Sequence, residues 1–161
     1  MARGFTLMEL LVALAIAAIL FAIGVPTFRN VATGSQLSSA ANDLLASIQL
    51  ARSEAIKRNV EVSICPSSDG LVCDLGEDWE IGWIVHQGAT VIQRQEGLPA
   101  GYRMTQAGGT TELTFEAIGI GGIPAVITAC REDPLGSQER VLTLRAAGTA
   151  QVTNTTTGVC P

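Results

Sequence analysis

The sequence predicts an α+β protein in which one long N-terminal helix, apolar in its first half and amphipathic in its second, packs on a small antiparallel β-rich head. Three observations carry that reading. Residues 5–28 hold one charge, Glu9, in an otherwise apolar run. Residues 29–59 then repeat apolar side chains at three- and four-residue steps. From residue 60 onward short β-branched and aromatic runs alternate with turn residues, and all four cysteines fall there.

The apolar run comes first in the chain. A helix over residues 5–28 spans about 36 Å, enough for a hydrocarbon core of about 30 Å. Two ordinary readings compete with a specialised one. A secretory signal has an apolar region of only about 7–15 residues, and Pro26-Thr27-Phe28-Arg29 offers no small-x-small cleavage site, although an A-x-A-like option exists inside the run. A plain uncleaved anchor is the other. A carboxylate in a bilayer costs several kcal/mol, so Glu9 is a functional candidate unless it sits at the interface and snorkels or protonates.

Met1-Ala2-Arg3-Gly4-Phe5-Thr6-Leu7-Met8-Glu9 resembles the class III leader of type IV prepilins and type II secretion pseudopilins: a short basic leader ending in Gly, then Phe, Thr-Leu-x-Glu and an apolar stretch. The resemblance implies a type IV pilin fold and a prepilin peptidase that cuts between Gly4 and Phe5 and methylates the new amine of Phe5. It implies that Glu9 pairs with the N-terminal amine of a neighbouring subunit during assembly. An ammonium and a carboxylate that are each costly in lipid offset one another when paired, and the pairing sets register. Pro26 falls where family members carry a helix-kinking proline, which removes one helical hydrogen bond. The chain then divides into a leader (1–4), a transmembrane and assembly helix (5–28), an amphipathic half-helix (29–59) and a β-rich head (60–161). It is expected to cross the inner membrane once, with its head in the periplasm, and to enter a pilus or pseudopilus on assembly.

In the amphipathic half, Leu37, Ala41, Leu44, Leu45, Ile48, Ala51 and Ala55 make one apolar stripe, with Ser38, Asn42, Asp43, Gln49, Arg52 and Glu54 largely between them. The stripe is read as packing on the chain's own head, with a partner helix as the competing use. Gly34 weakens the helix by about 1 kcal/mol relative to Ala, which favours a bend or frayed turn at residues 33–35. The helix is expected to end by Asn59, because Val60-Glu61-Val62-Ser63-Ile64 alternates as a strand does.

In the head, strands are expected at 60–64, 79–85, 90–94, 112–115, 125–130, 140–145 and 149–153, with hairpin turns at 87–89 and 146–148. Residues 119–124 read as irregular loop. Four cysteines allow three pairings. Cys65–Cys73 is favoured as a small local loop, and Cys130–Cys160 as a tether for a tail otherwise prone to fray. Zinc is the competing use, but seven residues separate the first two cysteines and 29 the last two, unlike the usual C-x-x-C pairs.

Leu50-Ala51-Arg52-Ser53-Glu54-Ala55-Ile56-Lys57-Arg58-Asn59, Ser63-Ile64-Cys65-Pro66-Ser67 and Trp79-Glu80-Ile81-Gly82-Trp83-Ile84-Val85 are similar to the FimT/FimU and GspH group of minor pilins and minor pseudopilins. With the leader, this resemblance covers the chain to about residue 85. It implies a minor pilin of a type IV pilus, with a type II secretion pseudopilin or a DNA-binding competence pilin as alternatives. The implied partners are other pilin or pseudopilin subunits, the prepilin peptidase and the inner membrane.

No enzyme, cofactor or metal is expected. His86 is the sole histidine, no G-x-S-x-G or phosphate-binding loop is present, and Asp69, Asp74, Glu77, Asp78 and Glu80 read as a solvated acidic loop without EF-hand spacing. The net charge is −5, and residues 30–161 carry eight bases against 14 acids, which argues against bulk nucleic-acid binding. Some FimT-like pilins hold DNA through a Gly-Arg-x-Arg stretch near the C-terminus. The matching place here, Gly148-Thr149-Ala150-Gln151, has no arginine, leaving Arg140 and Arg145 as the only candidate DNA contacts. DNA is therefore not an expected partner.

Overall fold

The computed structural model describes residues 6–109, 112–121, 123–132, 138–158 and 160, the side chains of residues 23–31 excepted. The chain divides into two compact units, Met1–Ser35 and Gln36–Pro161.

Its first element is a long helix, α1 (Leu7–Arg58). Within Met1–Ser35, residues 7–22 are exposed on every side, Ala17 alone being half-buried. A helix that is apolar all round gains nothing from facing water and belongs in lipid or among other helices. Among the described residues no helix is long and apolar enough to cross a membrane. Side chains 7–22 form a shorter run than the roughly 20 residues a span needs. The side chains of the remainder of the expected span, Pro26 among them, are not described, and the backbone there continues as helix. The helix continues through Thr33, Gly34 and Ser35, so no frayed turn forms there. A single glycine penalty of about 1 kcal/mol is small against the turns on either side.

The helix ends one residue before the expected limit, and for a clear reason. Asn59 takes a left-handed conformation (φ 54°). Its N–H then bonds the Ile56 carbonyl while the Val60 N–H bonds that of Ala55. That is the Schellman arrangement, which satisfies carbonyls orphaned at a helix C-terminus, and Lys57 and Arg58 complement the negative pole of the helix dipole.

Among the described residues of Gln36–Pro161, eight strands follow: β1 (Val62–Pro66), β2 (Gly82–Gln87), β3 (Thr90–Glu96), β4 (Tyr102–Ala107), β5 (Leu113–Phe115), β6 (Ala125–Arg131), β7 (Glu139–Leu144) and β8 (Ala150–Thr155). They form two four-stranded antiparallel sheets, ordered β3-β2-β1-β5 and β4-β6-β7-β8. β1 is buried at all five positions, as befits an interior strand covered on both faces. β6 alternates buried and more open residues because only one face of its sheet is covered.

Two expectations need correction. Residues 79–81 form a 3-10 turn (Trp79–Ile81) ahead of β2 instead of the start of a strand. The turn inserts Trp79 fully into the core, and Gly82 at φ 108° redirects the chain into β2. In addition, β4 lies in a segment where no strand was expected. Its Tyr-Arg-Met-Thr-Gln-Ala sequence has one buried residue, Met104, because β4 is an edge strand with a polar outer face.

Leu37, Ala40, Leu44, Ile48, Ala51 and Ala55 of α1 join Val62, Ile64, Trp83 and Val85 of the first sheet and Met104, Ile127, Ala129, Leu142 and Leu144 of the second in one core. Leu45, placed in the stripe by spacing, is only partly buried at its edge. Each fully buried Leu or Ile contributes about 1.5–3 kcal/mol. One polar residue shares the stripe: Ser47, fully buried, accepts the Trp83 indole N–H at 3.0 Å and donates to the Asp43 carbonyl at 2.9 Å.

Candidate functional site

At the start of α1, Thr6 and Glu9 hold each other. The Glu9 N–H donates to Thr6 Oγ1 at 3.2 Å. Glu9 Oε2 accepts from the Thr6 N–H at 3.3 Å and from the Thr6 hydroxyl at 3.2 Å. This reciprocal pair is a capping box, which satisfies orphan donors of the first helical turn. It also places a carboxylate at the positive pole of the helix dipole, where negative charge is favoured. Glu9 is thus turned back onto the Thr6 N–H and hydroxyl, at the head of an exposed apolar helix. Thr6 was not singled out from the sequence, although the T-x-x-E spacing carries that signal. Gly4 and Phe5, the expected cleavage and methylation positions, lie outside the described residues.

In the head, Cys65 is bonded to Cys73 and Cys130 to Cys160. The first bridge ties the loop after β1 to the buried end of that strand. The same loop is fixed from within. Asp69 Oδ1 accepts from the Leu71 and Val72 N–H groups at 2.7 and 3.1 Å and from Ser67. Those two backbone donors hold the Asp69 carboxyl below its ordinary range. Asp74 Oδ2 accepts from the Ser68 N–H and hydroxyl at 2.7 and 2.6 Å. His86 Nδ1 donates to the Gly88 carbonyl at 3.0 Å, while its Nε2 lies 3.3 Å from Cys73 Sγ and 3.6 Å from Glu112 Oε1. The sulfur and nitrogen atoms of Cys65, Cys73 and His86 lie within 4.8 Å of one another. Both sulfurs are committed to the bridge, however, and a thiolate is the form that ligates metal.

The acidic loop also has a cation that the sequence order hides. Arg103, on β4, sits 2.8 Å from Glu80, 3.2 Å from Asp78 and 3.4 Å from Glu132. The Glu80 charge, more than burial opposes it, raises the Arg103 pKa further above its ordinary value, with Glu132 and Asp78 adding to the effect. Glu80 also accepts the Met104 N–H at 3.0 Å. Two of the five acids read as solvated are therefore tied to a strand that had not been foreseen.

The two candidate DNA contacts are not brought together. Arg140 donates Nε to Ser38 at 3.0 Å and Nη1 to the Glu139 carbonyl at 3.0 Å, which pins it between α1 and its own strand. Arg145 is exposed just beyond the other end of β7. Five residues of extended chain separate them by about 17 Å.

Beside Arg145, the β7–β8 turn closes on α1. Gly148 (φ 76°) and Gly119 (φ 77°) meet there, and a Cβ on Gly148 would lie 2.5 Å from the Gly119 carbonyl oxygen. Arg52 donates Nη1 to the Gly148 carbonyl at 3.3 Å, and its buried Nε has no hydrogen-bond partner among the described residues. Gln49, Arg52, Ser53, Ile56 and the turn residues Gly148, Thr149 and Ala150 line an open cleft of about 400 Å³.

Residues 40–150 match the family described as type II transport protein GspH, and residues 1–25 match the prokaryotic N-terminal methylation motif. Comparison with curated proteins gives no match. Among solved structures, two crystal forms of the type IV minor pilin FimU of Pseudomonas aeruginosa are similar. They are 26% and 25% identical, with TM-scores of 0.59 and 0.61, covering 73% and 74% of this chain and 92% and 89% of FimU. The minor pseudopilin EpsH from the Type 2 Secretion System of Vibrio cholerae is 12% identical with a TM-score of 0.55, covering 73% of this chain and 96% of EpsH, a likeness of fold alone.

Proposed function

Because the chain belongs to the GspH family and opens on an N-terminal methylation motif, we propose that it is a membrane-anchored minor pilin, stored in the inner membrane with its head in the periplasm and drawn into a type IV pilus. The observation that carries this is the Thr6–Glu9 capping box at the head of an exposed apolar helix. Helix 7–22 has no apolar partner of its own among the described residues, so lipid must cover it before assembly and other subunits' helices afterwards. Cleavage between Gly4 and Phe5 by the prepilin peptidase would leave a methylated amine next to Thr6. The Glu9 carboxylate, held at the helix start, is then positioned to receive such an amine from a neighbouring subunit. Pairing relieves two charges that are costly in lipid and fixes the axial register of the incoming helix. The role is structural, and no catalytic step is assigned to the head.

The family's own description favours one second reading, a minor pseudopilin of a type II secretion system, in which the same helix and head work in a shorter filament. DNA capture is not part of the proposal, since Arg140 is bound to Ser38 and Glu139 and stands apart from Arg145.

The deciding experiment follows the full chain, wild type and Glu9→Val, in membrane and sheared-filament fractions. Wild type is expected in both fractions, and the variant in the membrane alone. Equal recovery of the variant in filaments would remove Glu9 from assembly. Absence of the wild type from pili, with loss of protein secretion on deletion, would move the chain to the pseudopilus.

A further inference from the structure

The outer face of the first sheet carries a side-chain cluster for which filament assembly has no use. Val62, Ile64, Trp83 and Val85 turn one face of β1 and β2 into the core. Side chains alternate along a strand, so Ser63 and Cys65 point to the other face. His86 joins them there, since it lies opposite Ser63 in the β1–β2 pairing. Glu112, the residue before β5, arrives from the other side of β1, where Leu113 is opposite Ile64. Cys73 closes over this face from the loop after β1 through its bridge to Cys65.

The donor atoms converge. Both sulfurs and a ring nitrogen of His86 lie within 4.8 Å of one another. His86 Nε2 is 3.3 Å from Cys73 Sγ and 3.6 Å from Glu112 Oε1. Around a tetrahedral zinc ion, with Zn–S of about 2.3 Å and Zn–N or Zn–O of about 2.0–2.2 Å, a sulfur stands about 3.6 Å from a nitrogen. By the same geometry a nitrogen stands about 3.4 Å from an oxygen. The protein meets both edges to within about 0.3 Å. The imidazole is also turned for the task. The Gly88 carbonyl can only accept, so Nδ1 carries a proton and, in the neutral ring, Nε2 presents its lone pair to the cluster. Metal-binding histidines are held in this way, with the second nitrogen donating to a carbonyl or carboxylate. Cys65 is buried and Cys73 and His86 are half-buried, whereas the Glu112 side chain, 39% exposed, leaves an approach from solvent.

One bond keeps these groups from acting as ligands. A bridged sulfur has no thiolate to offer. A dithiol reductant breaks the bridge: it is oxidised to its own disulfide, and two electrons and two protons leave Cys65 and Cys73 as thiols. Cys73 does not rely on the bridge alone for its place. The Asp74 N–H donates to the Pro66 carbonyl at 2.9 Å, and Asp74 Oδ2 accepts from the Ser68 N–H and hydroxyl at 2.7 and 2.6 Å. The two thiols therefore stay side by side and need only part to the about 3.8 Å that two sulfurs span on one tetrahedral ion.

We propose that the reduced head binds one Zn²⁺ ion through Cys65, Cys73 and His86, with Glu112 as the fourth ligand, and that closing the Cys65–Cys73 bridge excludes it. Two thiolates and an imidazole select zinc over magnesium or calcium, which take oxygen ligands. Each thiol gives its proton to solvent as the ion binds. The cytosol keeps thiols reduced and an oxidising compartment closes disulfides, so the ion holds the loop after β1 until the bridge takes its place. Spacing along the chain did not point to this site, because its ligands come from two strands, a loop and the segment before β5. Metal uptake is read on the purified chain and so stands or falls apart from the pilin reading.

The test reduces the full chain in detergent with a dithiol, removes the reductant without air, and titrates Co²⁺, which takes zinc's tetrahedral sites and absorbs visible light there. One Co²⁺ per chain is expected, with ligand-field and sulfur-to-cobalt bands that Zn²⁺ displaces, and none in the bridged chain. His86→Gln should weaken binding about tenfold or more. Cys73→Ser should abolish the bands although Cys130 and Cys160 remain as thiols. In the parent chain, Zn²⁺ should slow alkylation of Cys65 and Cys73 by iodoacetamide, and not that of Cys130 and Cys160, as mapped by mass spectrometry; this readout needs no variant. Both thiols free with no metal taken up, bands unchanged in His86→Gln, or protection of Cys130 and Cys160 instead would overturn the proposal.

Discussion

Ser47→Ala removes one oxygen from the core, and its cost follows from what that oxygen holds. Among the described residues, Ser47 Oγ is the sole hydrogen-bond acceptor at the Trp83 indole nitrogen, 3.0 Å away, with both residues almost fully buried. Alanine fits the helix better, by a few tenths of a kcal/mol. The orphaned indole N–H, shut away from water, costs about 1–3 kcal/mol. The Asp43 carbonyl loses only a second bond, since the helix already supplies one. A net loss of about 2 kcal/mol lowers the folded-to-unfolded ratio about 30-fold. Trp83→Phe removes the orphan along with the ring nitrogen, so Ser47→Ala should cost much less in that background. The coupling between the two changes should be about 1–2 kcal/mol. Urea unfolding of the full chain in detergent, followed by circular dichroism because a tryptophan is being changed, measures all four corners of the cycle. Additivity within about 0.5 kcal/mol would refute the reasoning and mean that the Trp83–Ser47 bond contributes nothing.

Gly4→Val should leave the leader attached, seen as a heavier chain by mass spectrometry, whereas normal processing would displace the cut from the Gly4–Phe5 junction. Replacing Cys130 and Cys160 with serine should cost about 3–4 kcal/mol, and the shorter Cys65–Cys73 loop about 2–3, in proportion to the chain each closes; the reverse order in chemical denaturation would contradict the entropic account. The Asp69 carboxyl is held low by the Leu71 and Val72 N–H groups, so its stabilisation is full above the unfolded pKa and is lost as pH falls through the lower folded one. Hydrogen exchange at Leu71 and Val72 should therefore lose protection in that acidic window, and Asp69→Asn should abolish the dependence; protection that stays flat with pH would dismiss the carboxylate as the anchor.

Local pattern made much of this protein legible. The leader and apolar run are contiguous in sequence, and so are the stripe from Leu37 to Ala55 and the turns at 87–89 and 146–148, because each is set by neighbours within a few residues. The Thr6–Glu9 capping box was equally local and equally readable. The segment 79–81 misled because a buried aromatic residue beside Ile suits a strand and a core-facing turn alike, and only the space available for Trp79 distinguishes them. β4 was hidden because an edge strand keeps its outer face polar.

What the tertiary structure alone decided are meetings between residues far apart in the chain. Arg103 among Asp78, Glu80 and Glu132, Trp83 on Ser47, and Arg52 beneath Gly148 each join separate elements. The same holds for the exposed apolar side chains of the head, such as Leu71 and Ile118, which no periodicity announces, since a residue's exposure depends on what the rest of the chain leaves uncovered. By itself the sequence determined the kind of subunit this is, because the N-terminal methylation motif and the apolar run are written in consecutive residues. Which surfaces the head presents was decided by packing, which brings distant charges and apolar groups together through long-range contacts that no local pattern encodes.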